Sequence, residues 1–175
     1  TIRQAKQTPV LINYSVGTKL FEKLPDDFDR ALIEKIEEME IPYWFPTDAI
    51  QKGDKTGEPL RLGITNVHHF YTRRNLSVLA NLRASLKNTF MESQLLCLVG
   101  DQLPRASKMH KIAISRLNTN LSKTAGVLSG TLYIPSNQIE YSVLEMIGYR
   151  IADVASYLSK RDKKTQQLVL NSSTI

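Results

Sequence analysis

A chain of 175 residues, 42% hydrophobic, with 23 Lys/Arg against 17 Asp/Glu, has the make-up of an ordinary globular protein large enough for one domain with its own core. No apolar run approaches a membrane span and no signal-peptide pattern opens the chain, which points away from a membrane or secreted protein. The single cysteine, Cys97, lies in the apolar run Leu95–Val99 and can make neither an internal disulfide nor a zinc site, so a reducing, cytoplasmic setting and a buried structural thiol are expected.

In chain order, Pro9 to Leu24 reads as a hairpin, with Val10–Tyr14 and Lys19–Glu22 flanking a turn at Ser15-Val16-Gly17-Thr18. Pro25-Asp26-Asp27 opens a helix with acids in its first turn, where the dipole favours them. Phe28, Leu32, Ile36 and Met39 share one face of it, with Ile33 alongside, and Ile41-Pro42 ends it. Residues 42–66 lack periodicity. Three prolines (Pro42, Pro46, Pro59), three glycines (Gly53, Gly57, Gly63) and the cluster Tyr43-Trp44-Phe45 mark a long loop, with a polar, exposed centre at 51–58. Gly53 and Gly57 do not make a phosphate loop, because the Gly-Lys-Ser/Thr ending is missing.

The segment His68-His69-Phe70-Tyr71-Thr72-Arg73-Arg74-Asn75 then runs into an apolar-periodic helix, with Thr72 or Asn75 as its cap. Leu76, Leu79, Leu82 and Leu86 turn inward, and Arg83 and Lys87 share an outer face. A second helix is expected over Phe90–Val99, broken by Gly100 or Pro104. The basic stretch Arg105–Lys111 leads through Ile112–Ile114 to Arg116, and 118–126 is polar and loop-like. Leu128–Ile134 reads as a strand stopped by Pro135. The last helix is expected over Glu140–Ser159, with Val143, Ile147, Ile151, Val154 and Leu158 as its inner stripe and Lys160–Lys164 ending it in solvent. Gln167–Leu170 looks like a strand, and a strand closing the chain needs neighbours, so the sequence reads as a piece of something longer. The expected fold is α+β: one domain, 1–175, with a small mixed sheet and an N-terminal hairpin packed against about four helices. It divides into 1–41 (hairpin and helix), 42–71 (long loop) and 72–175 (helices with one or two strands).

The charge is uneven. Residues 1–51 hold six basic against nine acidic side chains (−3), residues 52–123 hold twelve against four (+8), and the remainder comes to +1. A basic middle points to a polyanionic partner. The first N–H groups of a helix are unpaired and favour anions, so the mouth of the 76–86 helix suits a phosphate. Arg73 and Arg74 supply planar donors, and Lys108, Lys111 and Arg116 further cations. His69, Asn75 and Gln51 are candidates for base edges, and Tyr71 for a stacking contact, with Phe70 assigned to the core and His68 to loop packing. Adjacent histidines cannot clamp a metal. The acids of the first helix look like a solvated face, Ser129-Gly130 lacks the glycines of a nucleophile elbow, and no Gly-x-Gly-x-x-Gly occurs. The chain is therefore read as non-catalytic by itself, with no metal or cofactor of its own. An enzyme using His69 or His110 as a base with Asp48 ranks last.

Three segments together resemble a family. They are Val10–Gly17 followed by Phe21–Asp26; Glu40-Ile41-Pro42-Tyr43-Trp44-Phe45-Pro46-Thr47-Asp48 with Gly63–Leu76; and Leu128-Ser129-Gly130-Thr131-Leu132-Tyr133-Ile134-Pro135-Ser136. They look like the central region of large bacterial DNA methyltransferases of the amino-methylating type, which modify adenine N6 or cytosine N4. The second segment is the most specific, and the resemblance spans nearly the whole chain. It implies a methyl-donor domain upstream and an Asp-Pro-Pro-Phe/Tyr catalytic motif downstream, neither of which stands in this sequence. The part present would then be a DNA-binding, target-recognition segment, and S-adenosylmethionine would belong to the parent enzyme. DNA and the remaining domains of that enzyme are the implied partners, with no membrane partner. The alternative is an interdomain scaffold or dimerisation element of the same enzyme, without direct DNA contact.

Overall fold

The computed structural model describes residues 7–116 and 124–172. Strands β1 (Ile12–Val16) and β2 (Lys19–Lys23) pair antiparallel with Val16 opposite Lys19, leaving Gly17-Thr18 as a two-residue loop. Gly17 sits at φ +61°, the sign a primed hairpin turn demands at its first position and glycine adopts without strain. Tyr14 and Phe21 stack across the ladder at 5.4 Å, yet no residue of either strand is buried. Helix α1 (Asp27–Glu38) starts on a reciprocal capping box, in which Asp26 Oδ1 accepts from the Asp29 N–H and Asp29 Oδ2 accepts from the Asp26 N–H, both at 3.0 Å.

The expected inner stripe of α1 is not inward. Phe28 is 74% exposed, Leu32 and Met39 are also exposed, and only Ile33 and Ile36 are half-buried where the helix meets α3 (Arg73–Leu86). The long loop is more ordered than its composition indicates. Ala49 bridges Asn66, Ile50 N–H donates to Thr65 at 2.8 Å, and Val67 N–H donates to Asp48 at 2.9 Å. The excursion between these paired ends carries a short helix, α2 (Gly57–Arg61).

The core lies between α3, α4 (Glu92–Ala106) and the start of α5 (Val143–Ser172). Leu79, Val99, Ala106, Val143 and Ile147 form its main cluster. Smaller clusters gather Ile41 with Leu76 and Ala80, and Phe70 with Ile64 and Ile134. Helix α4 runs through both Gly100 and Pro104 instead of stopping at Val99. Pro104 stands near its C-terminus, where a missing N–H and a crowded turn disturb little beyond one bond. Its buried positions are Val99, Gln102 and Ala106. Cys97, two residues and about 200° of rotation from Val99, points the other way and is exposed, which corrects the expectation of a buried thiol.

The sheet component is two separate antiparallel pairs and not one mixed sheet: β1–β2, and β3 (Lys111–Ile112) with β4 (Thr124–Gly126). The expected strand at Leu128–Ile134 is absent. Gly130 turns the chain at φ +75°, and pairing resumes only beyond Pro135, where Ile112 N–H donates to Asn137 and Lys111 bridges Gln138. Helix α5 starts later and runs further than expected, through both Lys160–Lys164 and the strand-like Gln167–Leu170. Of its predicted stripe, Val143 and Ile147 are buried, Val154 is half-buried, Ile151 is exposed, and the Leu158 side chain lies outside the described residues. The polar stretch 118–126 is described only from Thr124. The molecule is α+β, and among the described residues no helix is long and apolar enough to cross a membrane.

Candidate nucleic-acid interface

The motif singled out in the sequence sits where three helix ends meet. Val67–Phe70 forms one 3-10 turn, and Tyr71 and Thr72 run extended into α3. The Thr72 hydroxyl caps that helix by accepting the Asn75 N–H at 3.2 Å. The residues just inside α3 reach outward to the ends of its neighbours. Arg73 donates through Nε and Nη2 to the Met39 carbonyl, at 2.9 and 2.6 Å, at the C-terminus of α1. Asn75 is 2% exposed, and its amide donates to the Ala106 carbonyl at the C-terminus of α4 at 3.0 Å. The last carbonyls of a helix lack intrahelical donors and carry its negative pole, so a guanidinium and an amide meet what those ends require.

Glu140, just before α5, completes the knot. Its Oε1 accepts from the Thr72 hydroxyl at 2.7 Å and from Arg74 Nε at 3.0 Å. Lys108 is anchored by its backbone, whose N–H donates to the Phe70 carbonyl at 2.7 Å. Burial pulls the Lys108 ammonium below its ordinary pKa, while the charges of Glu37 and Glu140 act in the opposite sense.

The histidines divide. His69 Nδ1 accepts from the Thr65 N–H at 3.3 Å, which leaves Nε2 as the protonated nitrogen of a neutral ring. Burial first, then the neighbouring His68 and the Lys108 charge, lower its pKa. Burial also lowers that of His68, with Arg73 and Lys108 adding to the effect and a hydrogen bond to the Pro46 backbone opposing it. His68 Nδ1 is buried without a partner. His110 is 3% exposed, and its Nδ1 donates to the Arg105 carbonyl at 3.0 Å.

Several assignments change as a result. Asn75 is withdrawn as a reader of base edges, since its amide is committed in the core. Tyr71 is withdrawn as an exposed stacking ring, because it packs against all three apolar clusters and burial raises its hydroxyl pKa. Phe70 is buried, as assigned. Arg73, Arg74 and Lys108 lie in one region, but Arg73 is bonded to a carbonyl and Arg74 to a carboxylate of the same chain, and Lys108 is half-buried in the field of Glu37 and Glu140. Lys111 lies apart, half-buried in β3. Arg116 ends the 3-10 turn Ile114–Arg116, and its side chain lies outside the described residues. Gln51 is exposed in the loop.

Other cations remain at the surface. Arg83 and Lys87 are exposed, one turn apart at the end of α3, and no acid bonds either among the described residues. Trp44 is 61% exposed, with the Arg83 guanidinium 4.1 Å from its ring centroid. This pair escaped the sequence reading because its halves are far apart along the chain, although the Tyr43-Trp44-Phe45 cluster and the Arg83–Lys87 face were each visible.

Two open surface depressions have volumes of about 500 and 310 Å³. One is lined by Lys111–Ser115 with Thr124 and Ala125, the other by Leu32, Lys35, Ile36, Glu38 and Met39. Neither is lined by His69, His110 or Asp48, and no acid–His–Cys group suited to a metal occurs among the described residues. Comparison of the chain with family models, curated proteins and solved structures finds no match.

Proposed function

We propose that this chain is the DNA-contacting, target-recognition portion of a bacterial, cytoplasmic DNA methyltransferase of the amino-methylating type. The reading rests on the three segments that resemble that family and on the +8 balance of residues 52–123. The observation that carries it in three dimensions is the pair of exposed cations, Arg83 and Lys87, on the outer end of α3. In this reading Arg83, Lys87, Arg74 and Lys111 hold phosphates, while Arg73 and Asn75 are committed to the Met39 and Ala106 carbonyls and take no part in the contact. The methyl donor, S-adenosylmethionine, is held by other parts of the parent enzyme, which flips the target base for transfer. The test is binding of the chain to a short labelled duplex across a salt series. Binding that weakens steeply with salt is expected, and an Arg83→Gln/Lys87→Gln variant should lose affinity with a slope shallower by about two. Absence of binding at low salt, in protein with intact helical circular dichroism, overturns the proposal.

A specific observation favours a second reading, the scaffold or dimerisation element. The apolar side chains of α1 and the hairpin (Leu20, Leu24, Phe28, Leu32 and Met39) face solvent, and exposed apolar surface of this kind marks contact with another protein surface.

A further inference from the structure

Tryptophan is seldom left in water, yet Trp44 stands 61% exposed on a segment that is otherwise tied down. Ile41 on one side is buried, and Phe45 on the other packs against the Ile41–Leu76–Ala80 cluster and lies 5.6 Å from the His68 ring. Pro42 and Pro46 bracket the stretch and restrict its backbone. The indole is thus held out from the surface by fixed neighbours on both sides. The Arg83 guanidinium covers one face at 4.1 Å from the centroid. Among the described residues no aromatic ring stacks on the other face. Tyr43, next to it, is also exposed, and Lys87 stands one turn beyond Arg83 on α3.

This arrangement has the two parts a single-stranded nucleic-acid site uses: a flat π-face for a base, and cations at its edge for the adjoining phosphates. A guanidinium already held over the ring keeps its N–H donors beside the indole, within reach of a sugar–phosphate backbone that passes it. We propose that Trp44 and Arg83 form a stacking site for an unpaired base of single-stranded DNA, with Lys87 meeting a neighbouring phosphate. The inference rests on the DNA-contact reading above and deepens it, because a helix-distorting enzyme must hold nucleotides that have lost their partners. Stacking of this kind tolerates any base, so the site contributes affinity for unpaired DNA and no sequence preference.

Trp44 is the sole tryptophan, so its fluorescence reports on this site alone. The experiment titrates the 175-residue chain with oligothymidylate and, separately, with a blunt duplex, following tryptophan emission and the anisotropy of labelled DNA. Oligothymidylate is expected to quench the emission. By anisotropy, Trp44→Ala should weaken single-strand binding by about five- to 150-fold, while Trp44→Phe keeps most of it. Arg83→Gln should reduce both the quenching and the affinity. Duplex binding without quenching by oligothymidylate overturns the stacking site and leaves the DNA-contact reading standing. Quenching with unchanged affinity in Trp44→Ala also overturns it, since the ring would then be a bystander. Absence of binding to either form overturns both.

Discussion

Replacing Asn75 by alanine removes the amide that satisfies the Ala106 carbonyl in a site only 2% exposed. A buried acceptor left unmatched costs about 1–3 kcal/mol, so the midpoint of urea unfolding should fall accordingly while duplex affinity per folded molecule stays unchanged. A loss of affinity without a loss of stability would instead return Asn75 to the interface. His110 carries a second prediction. Burial chiefly, with the Arg105 charge, lowers its pKa in the folded state, and the hydrogen bond to the Arg105 carbonyl only partly opposes this. The unfolded chain, with an ordinary imidazole near 6.5, therefore takes up the proton first as pH falls. Stability from this group is complete above about 6.5 and declines below it. Urea midpoints measured between neutral pH and mildly acid pH should drop, and His110→Gln should flatten that drop; an unchanged slope in the variant would assign the effect elsewhere.

At the level of elements, the cap on α3 offers the simplest test. Thr72→Ala deletes the hydroxyl that accepts from Asn75 and donates to Glu140, and should cost about 1–2 kcal/mol by chemical denaturation. Thr72→Ser, which keeps the hydroxyl, should recover most of it. Such local features were legible in the sequence: the hairpin around Gly17, the acidic start of α1, and the leucines that turn α3 inward all follow from rules spanning a few residues. What the sequence concealed was the use of side chains between elements. Arg73 and Arg74 beside two histidines form a dense positive field on paper, and nothing nearby reveals that Met39 and Glu140 receive them. The periodicity of α1 identified its apolar face correctly but not whether anything would cover it, and Phe28 shows that within the described structure little does. The strand-like Leu128–Ile134 failed for lack of a neighbouring strand, since a β-strand exists only by pairing. Gln167–Leu170 failed because the helix already running from Val143 offered each added residue a hydrogen bond without a new nucleus.

For the molecule as a whole, the hairpin and α1 form an apolar surface in the acidic first part of the chain, apart from the basic middle. The cations of the middle third lie on α3, on the 51–61 excursion and along Arg105–Lys111, whereas Leu20, Leu24, Phe28, Leu32 and Met39 put exposed apolar surface on the hairpin and α1; other exposed apolar side chains, Phe90 above all, stand elsewhere. Apolar surface left in water drives association, so sedimentation should show a mass rising above 19.8 kDa with concentration, and Leu32→Glu should hold it near that value. A mass independent of concentration in the unaltered chain would remove the case for self-contact through α1. The thirty residues of α5 add a mechanical property. At 1.5 Å per residue the helix is about 45 Å long, and among its described side chains the buried ones, Val143 and Ile147, stand in its first turns, with Arg150 tied to Asp101 of α4 at 3.0 Å. A rod held at its root magnifies rotation: a tilt of about 5° there carries the far end by about 4 Å. By geometry alone, the length of α5 converts a small change of angle against α4 into a displacement of several ångströms at its far end.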